Sequence, residues 1–202
     1  DIGLSTRPIR KEELTPGIVL EPYGRTAFTF GTQESNPHTG FTIPEIAEIY
    51  AFKRTIWPDG VPLRLILRPL SDAFSVYLAS ITPGLKSASE KTHSLPGVAV
   101  GTTDHDAADL LEKTPGSFGI TSACIVMTER RKIKFLTVDG IVPSVANLTS
   151  GKYPYALTIF LVYKRDRYKG AVKDFIDFVF SPDGQKLLSE TGHVAMPRIA
   201  RK

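Results

Sequence analysis

Leu63-Arg64-Leu65-Ile66-Leu67-Arg68, followed by Pro69-Leu70-Ser71-Asp72-Ala73-Phe74, is the stretch on which the architecture of this chain turns. Apolar and basic residues mix over its first six positions, as in a largely buried strand. A Pro-Leu-Ser turn ends the strand. Beyond it, Phe74, Tyr77, Leu78 and Ile81 recur at helical spacing, and Ser71 is placed to be the N-cap. An arginine at the carboxyl end of a strand, facing the free N–H groups of a new helix, is a good holder of a small anion. The competing reading is an ordinary strand-turn-helix whose arginine pairs with a nearby carboxylate. Spacing alone leaves the two level, since helix starts are common and most bind nothing.

The 202 residues are 42% apolar and 23% charged, with a mean hydropathy of −0.05. That is enough chain for one large domain or two lobes of about 100 residues. A net charge of +4 and a pI near 9.1 are mildly basic and do not indicate nucleic-acid binding. The single cysteine, Cys124, excludes an internal disulfide, and its apolar setting between Ile120 and Met127 reads as a structural thiol. The longest apolar run, Leu157 to Tyr163, fits a buried strand and falls short of the ~20 residues of a membrane span. No signal peptide is present, and Asp1-Ile2-Gly3-Leu4-Ser5 reads as the inside of a domain. The natural N-terminus is therefore expected upstream.

Strand-like and helix-like stretches alternate, which argues for an α/β fold. Thr42-Ile43-Pro44-Glu45 is a capping box leading into Ile46, Ile49 and Tyr50. Thr103-Asp104-His105-Asp106 opens a second helix with Ala107, Leu110 and Leu111. Val172, Phe175, Ile176 and Val179 form an apolar stripe, and Ser181-Pro182-Asp183 caps a helix ending near Gly192. Expected strands are Ile18 to Glu21, Ala27 to Gly31, Leu63 to Arg68, Phe118 to Thr121, Ile133 to Val138 and Leu157 to Lys164. Ser35-Asn36-Pro37-His38-Thr39-Gly40 and Thr114-Pro115-Gly116-Ser117 punctuate them as turns.

Taken in order, several of these segments resemble the phosphate-type solute-binding proteins of ABC transporters. Asp1-Ile2-Gly3-Leu4-Ser5-Thr6-Arg7-Pro8 is similar to that family's Asp-x-Gly-x-Ser segment. The helix from Ile43 to Tyr50, then Trp57-Pro58-Asp59-Gly60, is similar to its "Ile-Tyr-x-Gly, then Trp" stretch. Arg68 through Ser75 stands where the family has an arginine before a Ser-Gly-Thr helix start. Thr114 to Ile120 resembles its Pro-Gly-x-Ile-Gly-Tyr strand. Asp139-Gly140-Ile141-Val142-Pro143 with Ser150-Gly151-Lys152-Tyr153-Pro154 resembles its return to the first lobe, and Phe178 to Pro197 its C-terminal helix pair.

The resemblance implies a two-lobed α/β architecture, the type II periplasmic-binding-protein-like fold. Each lobe is then a mixed sheet flanked by helices, and two crossover strands join them. Residues 1–27 and 158–202 would form one lobe and 28–157 the other, with the family's first strand-helix-strand missing from lobe one. It further implies a ligand site at Ser5, Thr6, Arg68, Ser71 and Asp72 and no cofactor. The partners would be a small phosphate-like anion and a membrane permease, with no nucleic acid, in a periplasmic or extracellular location. Two departures matter. Thr6 replaces an aspartate of phosphate binders, and Asp72-Ala73-Phe74 replaces Ser-Gly-Thr. An Arg68–Asp72 pair would fill the anion site internally.

The leading function is therefore an extracytoplasmic solute-binding protein for phosphate or another small oxyanion. The alternative is a ligand-sensing regulatory domain of the same fold, with a different small ligand or a protein partner. Enzymatic chemistry has little support: His38, His93, His105 and His193 are scattered, without metal-spaced pairs or a nucleophile elbow. Asp104-His105-Asp106 reads as ordinary first-turn acidity, and Glu129 to Lys134 as a solvated basic loop. Trp57 is expected to pack over the turn that follows it.

Overall fold

The computed structural model describes residues 1–199. Its first strands are β1 (Ile2–Ser5), β2 (Ile18–Gln33) and β3 (Gly40–Phe41), followed by α1 (Ile43–Tyr50) and β4 (Arg64–Leu67). Then come α2 (Ala73–Ile81), α3 (Pro83–His93), β5 (Ala99–Val100), α4 (Asp104–Lys113), β6 (Ser117–Ser122) and α5 (Ala123–Thr128). The chain ends with β7 (Ile133–Val138), α6 (Val145–Thr149), β8 (Ala156–Lys164), α7 (Ala171–Val179), α8 (Pro182–Glu190) and β9 (His193–Ala195).

β2 organises the molecule. The two short strands expected at Ile18 to Glu21 and Ala27 to Gly31 are one strand, carried through Pro22 and Gly24 by a register shift. Up to Ala27 it lies antiparallel between β8 and β9; from Phe28 onward it pairs with β6 and β7. One end of the sheet is thus the antiparallel set β1-β8-β2-β9. The other is mixed, with β4 parallel to both β5 and β6. Gly119 permits the close approach of β6 to β4, since a Cβ there would lie 2.6 Å from the Ile66 carbonyl oxygen.

The largest core packs α1, α2 and α3 on one face of the mixed end. Phe30 stacks on Phe118 at 5.2 Å, and Phe28 meets Phe30 edge-on at 5.2 Å. On the opposite face, Ala108 and Leu111 of α4 and Ile125 and Val126 of α5 cover Ile66 and Ile133. The antiparallel end has a smaller core of Leu161, Tyr163 and Ile176.

The capping box read at Thr42 and Glu45 forms and starts α1; Thr103 opens α4 as expected, with Asp106 completing a second box, and Ser181 caps α8. Gly192, with φ of 85°, follows the α8 terminus as the left-handed residue expected there. Three helices were not anticipated, α3, α5 and α6. Trp57 is buried, donates from Nε1 to the Gly116 carbonyl at 3.0 Å, and stacks on His38.

The chain is fastened behind α7 by an ionic network. Arg198 donates to Glu21 at 3.0 Å, to Asp177 at 2.7 Å and to the Tyr168 hydroxyl at 2.8 Å. Hydrogen bonds from Lys173, Tyr168 and Arg198 hold the Asp177 carboxyl well below the usual carboxylate range. A depressed folded-state value stabilises the protein above the unfolded pKa, and that contribution fades as the pH falls. Stability should therefore decline on acidification below about pH 4. Urea midpoints across that range should fall less steeply for Asp177→Asn, and equal slopes would refute the assignment.

Candidate functional site

β4, β5 and β6 run in the same direction, so their carboxyl ends share one edge of the sheet, the usual place for ligands in α/β folds. Arg68 is the residue after β4 and stands on that edge, only 5% exposed. Pro69 to Asp72 then form a turn closed by the Asp72 N–H donating to the Pro69 carbonyl at 2.9 Å. This geometry places the helix cap one residue later than the spacing suggests. Asp72 retains extended backbone angles, and its Oδ1 accepts the Phe74 N–H at 2.9 Å. Ser71 is left exposed in the turn and does not cap α2.

The guanidinium of Arg68 is gripped by carboxylates from two helices. One terminal nitrogen lies 2.7 Å from Asp72 Oδ2 and 2.8 Å from Asp104 Oδ1, and Asp104 is the first residue of α4. Nε and the other terminal nitrogen are buried without a hydrogen-bond partner among the described residues. The Arg68 carbonyl accepts from Ser75 Oγ at 3.2 Å and lies 2.6 Å from His93 Nε2. One cation and two carboxylates thus meet where α2 and α4 begin. The two partners differ: Asp72 is 19% exposed and bound at both oxygens, whereas Asp104 is 46% exposed.

Ser5 and Thr6 lie at the end of β1. Ser5 Oγ donates to the Arg7 carbonyl at 2.8 Å and accepts the Arg7 N–H at 3.3 Å, so its hydroxyl fixes the local turn. Arg7 makes a two-pronged ion pair with Glu13, both contacts at 2.7 Å. Thr6 faces a cleft of about 250 Å³, with Pro8 beside it, Ala73, Val76 and Tyr77 of α2 opposite, and Leu157 of β8 below. The structure therefore sets Thr6 across a cleft from the start of α2. It joins Arg68 with Asp72, and it leaves the hydroxyls of Ser5 and Ser71 outside that cluster. Asp104 was missed, because a first-turn aspartate is explained locally by the helix dipole. Only the adjacency of β4 and β5 brings it to Arg68. Cys124 nearby is half-buried, and burial pushes its thiol up, with a smaller push from the Asp104 carboxylate.

Comparison with known proteins places this geometry in context. Residues 1–183 match the family described as the PBP superfamily domain. The chain is 30% identical over 86 residues to the phosphate-binding protein PstS 2 of Streptococcus agalactiae, covering 43% of this chain and 28% of that protein. It is 26% identical over 209 residues to the phosphate-binding protein PstS of Borreliella burgdorferi, covering 96% and 72%. In structure it resembles a Clostridium perfringens protein solved with bound phosphate and assigned to the phosphate ABC transporter substrate-binding proteins. The TM-score is 0.80 at 20% identity, over 96% of this chain and 79% of that one.

Proposed function

Because the chain belongs to the PBP superfamily, we propose that it is an extracytoplasmic solute-binding protein serving an ABC-type importer, and that it holds phosphate or another small oxyanion between two lobes. The observation that carries this reading is the buried guanidinium of Arg68 at the carboxyl end of a parallel strand, where α2 and α4 begin. Guanidinium forks and helix N-termini both favour oxyanions. The relatives named above are phosphate-binding or transport proteins, which favours a receptor over the regulatory-domain alternative and over an enzyme.

The proposed lobes are residues 1–27 with 158–202, and residues 28–157; residues 200–202 lie outside the described ones. Ligand bridges Thr6, and the turn set by Ser5, to Arg68 and the Ser71-Asp72 helix start. The closed form gains those contacts and a membrane permease reads it. Charge-assisted hydrogen bonds contribute roughly 1.5–3 kcal/mol each. Three or four of them, less the cost of closure, reach the ~8 kcal/mol of micromolar affinity. A periplasmic or extracellular location follows from the same reading. Among the described residues, no helix is long and apolar enough to cross a membrane.

Thermal melts with phosphate, sulfate, molybdate and small carboxylates test the proposal. An oxyanion at ~100 times its Kd adds about 2.7 kcal/mol of stability, which raises Tm by about 5–10 °C in a chain of this size. A protein whose Tm answers to none of these anions is not an oxyanion receptor.

A further inference from the structure

We propose that Asp104 is the specificity-determining residue of this site, a built-in carboxylate that occupies Arg68 in place of the ligand and yields when an oxyanion binds. The inference rests on the receptor reading above and names what governs its anion affinity.

The two carboxylates on Arg68 are not equivalent. Asp72 is anchored: Oδ1 accepts the Phe74 N–H while Oδ2 holds the guanidinium, so moving it would uncap α2. Asp104 needs no such movement of its helix, since Thr103 caps α4 with Asp106 as the reciprocal partner. Its Oδ1 reaches Arg68 at 2.8 Å from a side chain that is nearly half in solvent. Rotation about its side-chain bonds carries the carboxylate into water without breaking a helix cap. The buried Nε and second terminal nitrogen add donor capacity that neither carboxylate uses.

Charge gives this arrangement its selectivity. One guanidinium faces two carboxylates, so the resident cluster is already net negative. An incoming oxyanion must displace Asp104 from the shared nitrogen and still tolerate its charge a few ångströms away. Repulsion grows with the charge of the ligand, so doubly charged sulfate is penalised more than singly charged dihydrogen phosphate, and the two are compared at mildly acidic pH, where that form of phosphate dominates.

Calorimetric titration of inorganic phosphate and of sulfate into the protein, Asp104→Asn and Asp104→Ala tests this. Both variants should bind phosphate at least tenfold more tightly than the parent, and sulfate should gain by a larger factor. Adding Arg68→Ala to either variant should remove the gain. A parent that binds an oxyanion while both variants bind it equally or more weakly overturns the role of Asp104 and leaves the receptor reading intact. If neither parent nor variants bind any oxyanion, both readings fall together. A merely structural Asp104 would shift Tm without changing the sulfate-to-phosphate ratio.

Discussion

Arg68→Ala should abolish the oxyanion-induced rise in Tm and also destabilise the protein in the absence of ligand. The two losses have different physical origins. Binding fails because the donors that meet the anion are gone. Stability falls because Asp72 and Asp104 are left facing one another without the cation between them. Removing one partner of a buried ion pair costs about 3–5 kcal/mol. Asp104 keeps access to water, which should reduce the loss to about 2–3 kcal/mol. Arg68→Lys separates the effects: a single ammonium can still sit between the carboxylates, but it cannot present the planar fork. It should recover most of the stability and little of the binding. Denaturant unfolding of both variants, beside anion titrations, reads the two quantities independently. Full binding by Arg68→Ala would remove Arg68 from the site.

What could be read beforehand follows the range of the forces involved. Caps act within three residues, so Thr42, Thr103 and Ser181 announced their helices. The strand from Leu63 to Arg68 and the stripe Phe74, Tyr77, Leu78 and Ile81 were likewise local patterns. α3 carries a cap of the same kind, Thr82 before Pro83 with its hydroxyl accepting the Leu85 N–H at 3.1 Å. But Pro83-Gly84 also reads as a turn, and the helix buries Ala88, Ser89 and Thr92 beside the single large residue Leu85, so no apolar stripe marks it. α5 hid within the apolar run from Ile120 to Met127, where periodicity cannot separate a strand's end from a helix's start. β2 looked broken at Pro22 and Gly24 because a bulge is a tertiary accommodation. Within the site, the Arg68–Asp72 pair was legible at four residues' separation. Asp104 was not, since it reaches Arg68 only through the alignment of β4 with β5.

Trp57→Ala should be among the most destabilising single changes in the chain, at about 3–5 kcal/mol, out of the 5–15 kcal/mol typical of a whole domain. The indole is 1% exposed, stacked 5.3 Å from His38 and packed against Phe41 and Phe118. Most of the loss is the cavity. The broken hydrogen bond adds little, because the Gly116 carbonyl still accepts the Arg64 N–H at 2.8 Å. Trp57→Phe, which keeps a ring in place, should cost under half as much. Trp57 serves the amino-terminal ends of β4 and β6, where Arg64 pairs with Ser117, and Arg68 lies at the opposite end of β4. Its loss should thus lower the urea midpoint, followed by circular dichroism, while the folded fraction binds oxyanion with unchanged Kd. Arg68→Ala loses both. A Trp57→Ala protein with weakened Kd would mean that the core under β4 sets the geometry of the site as well as its stability.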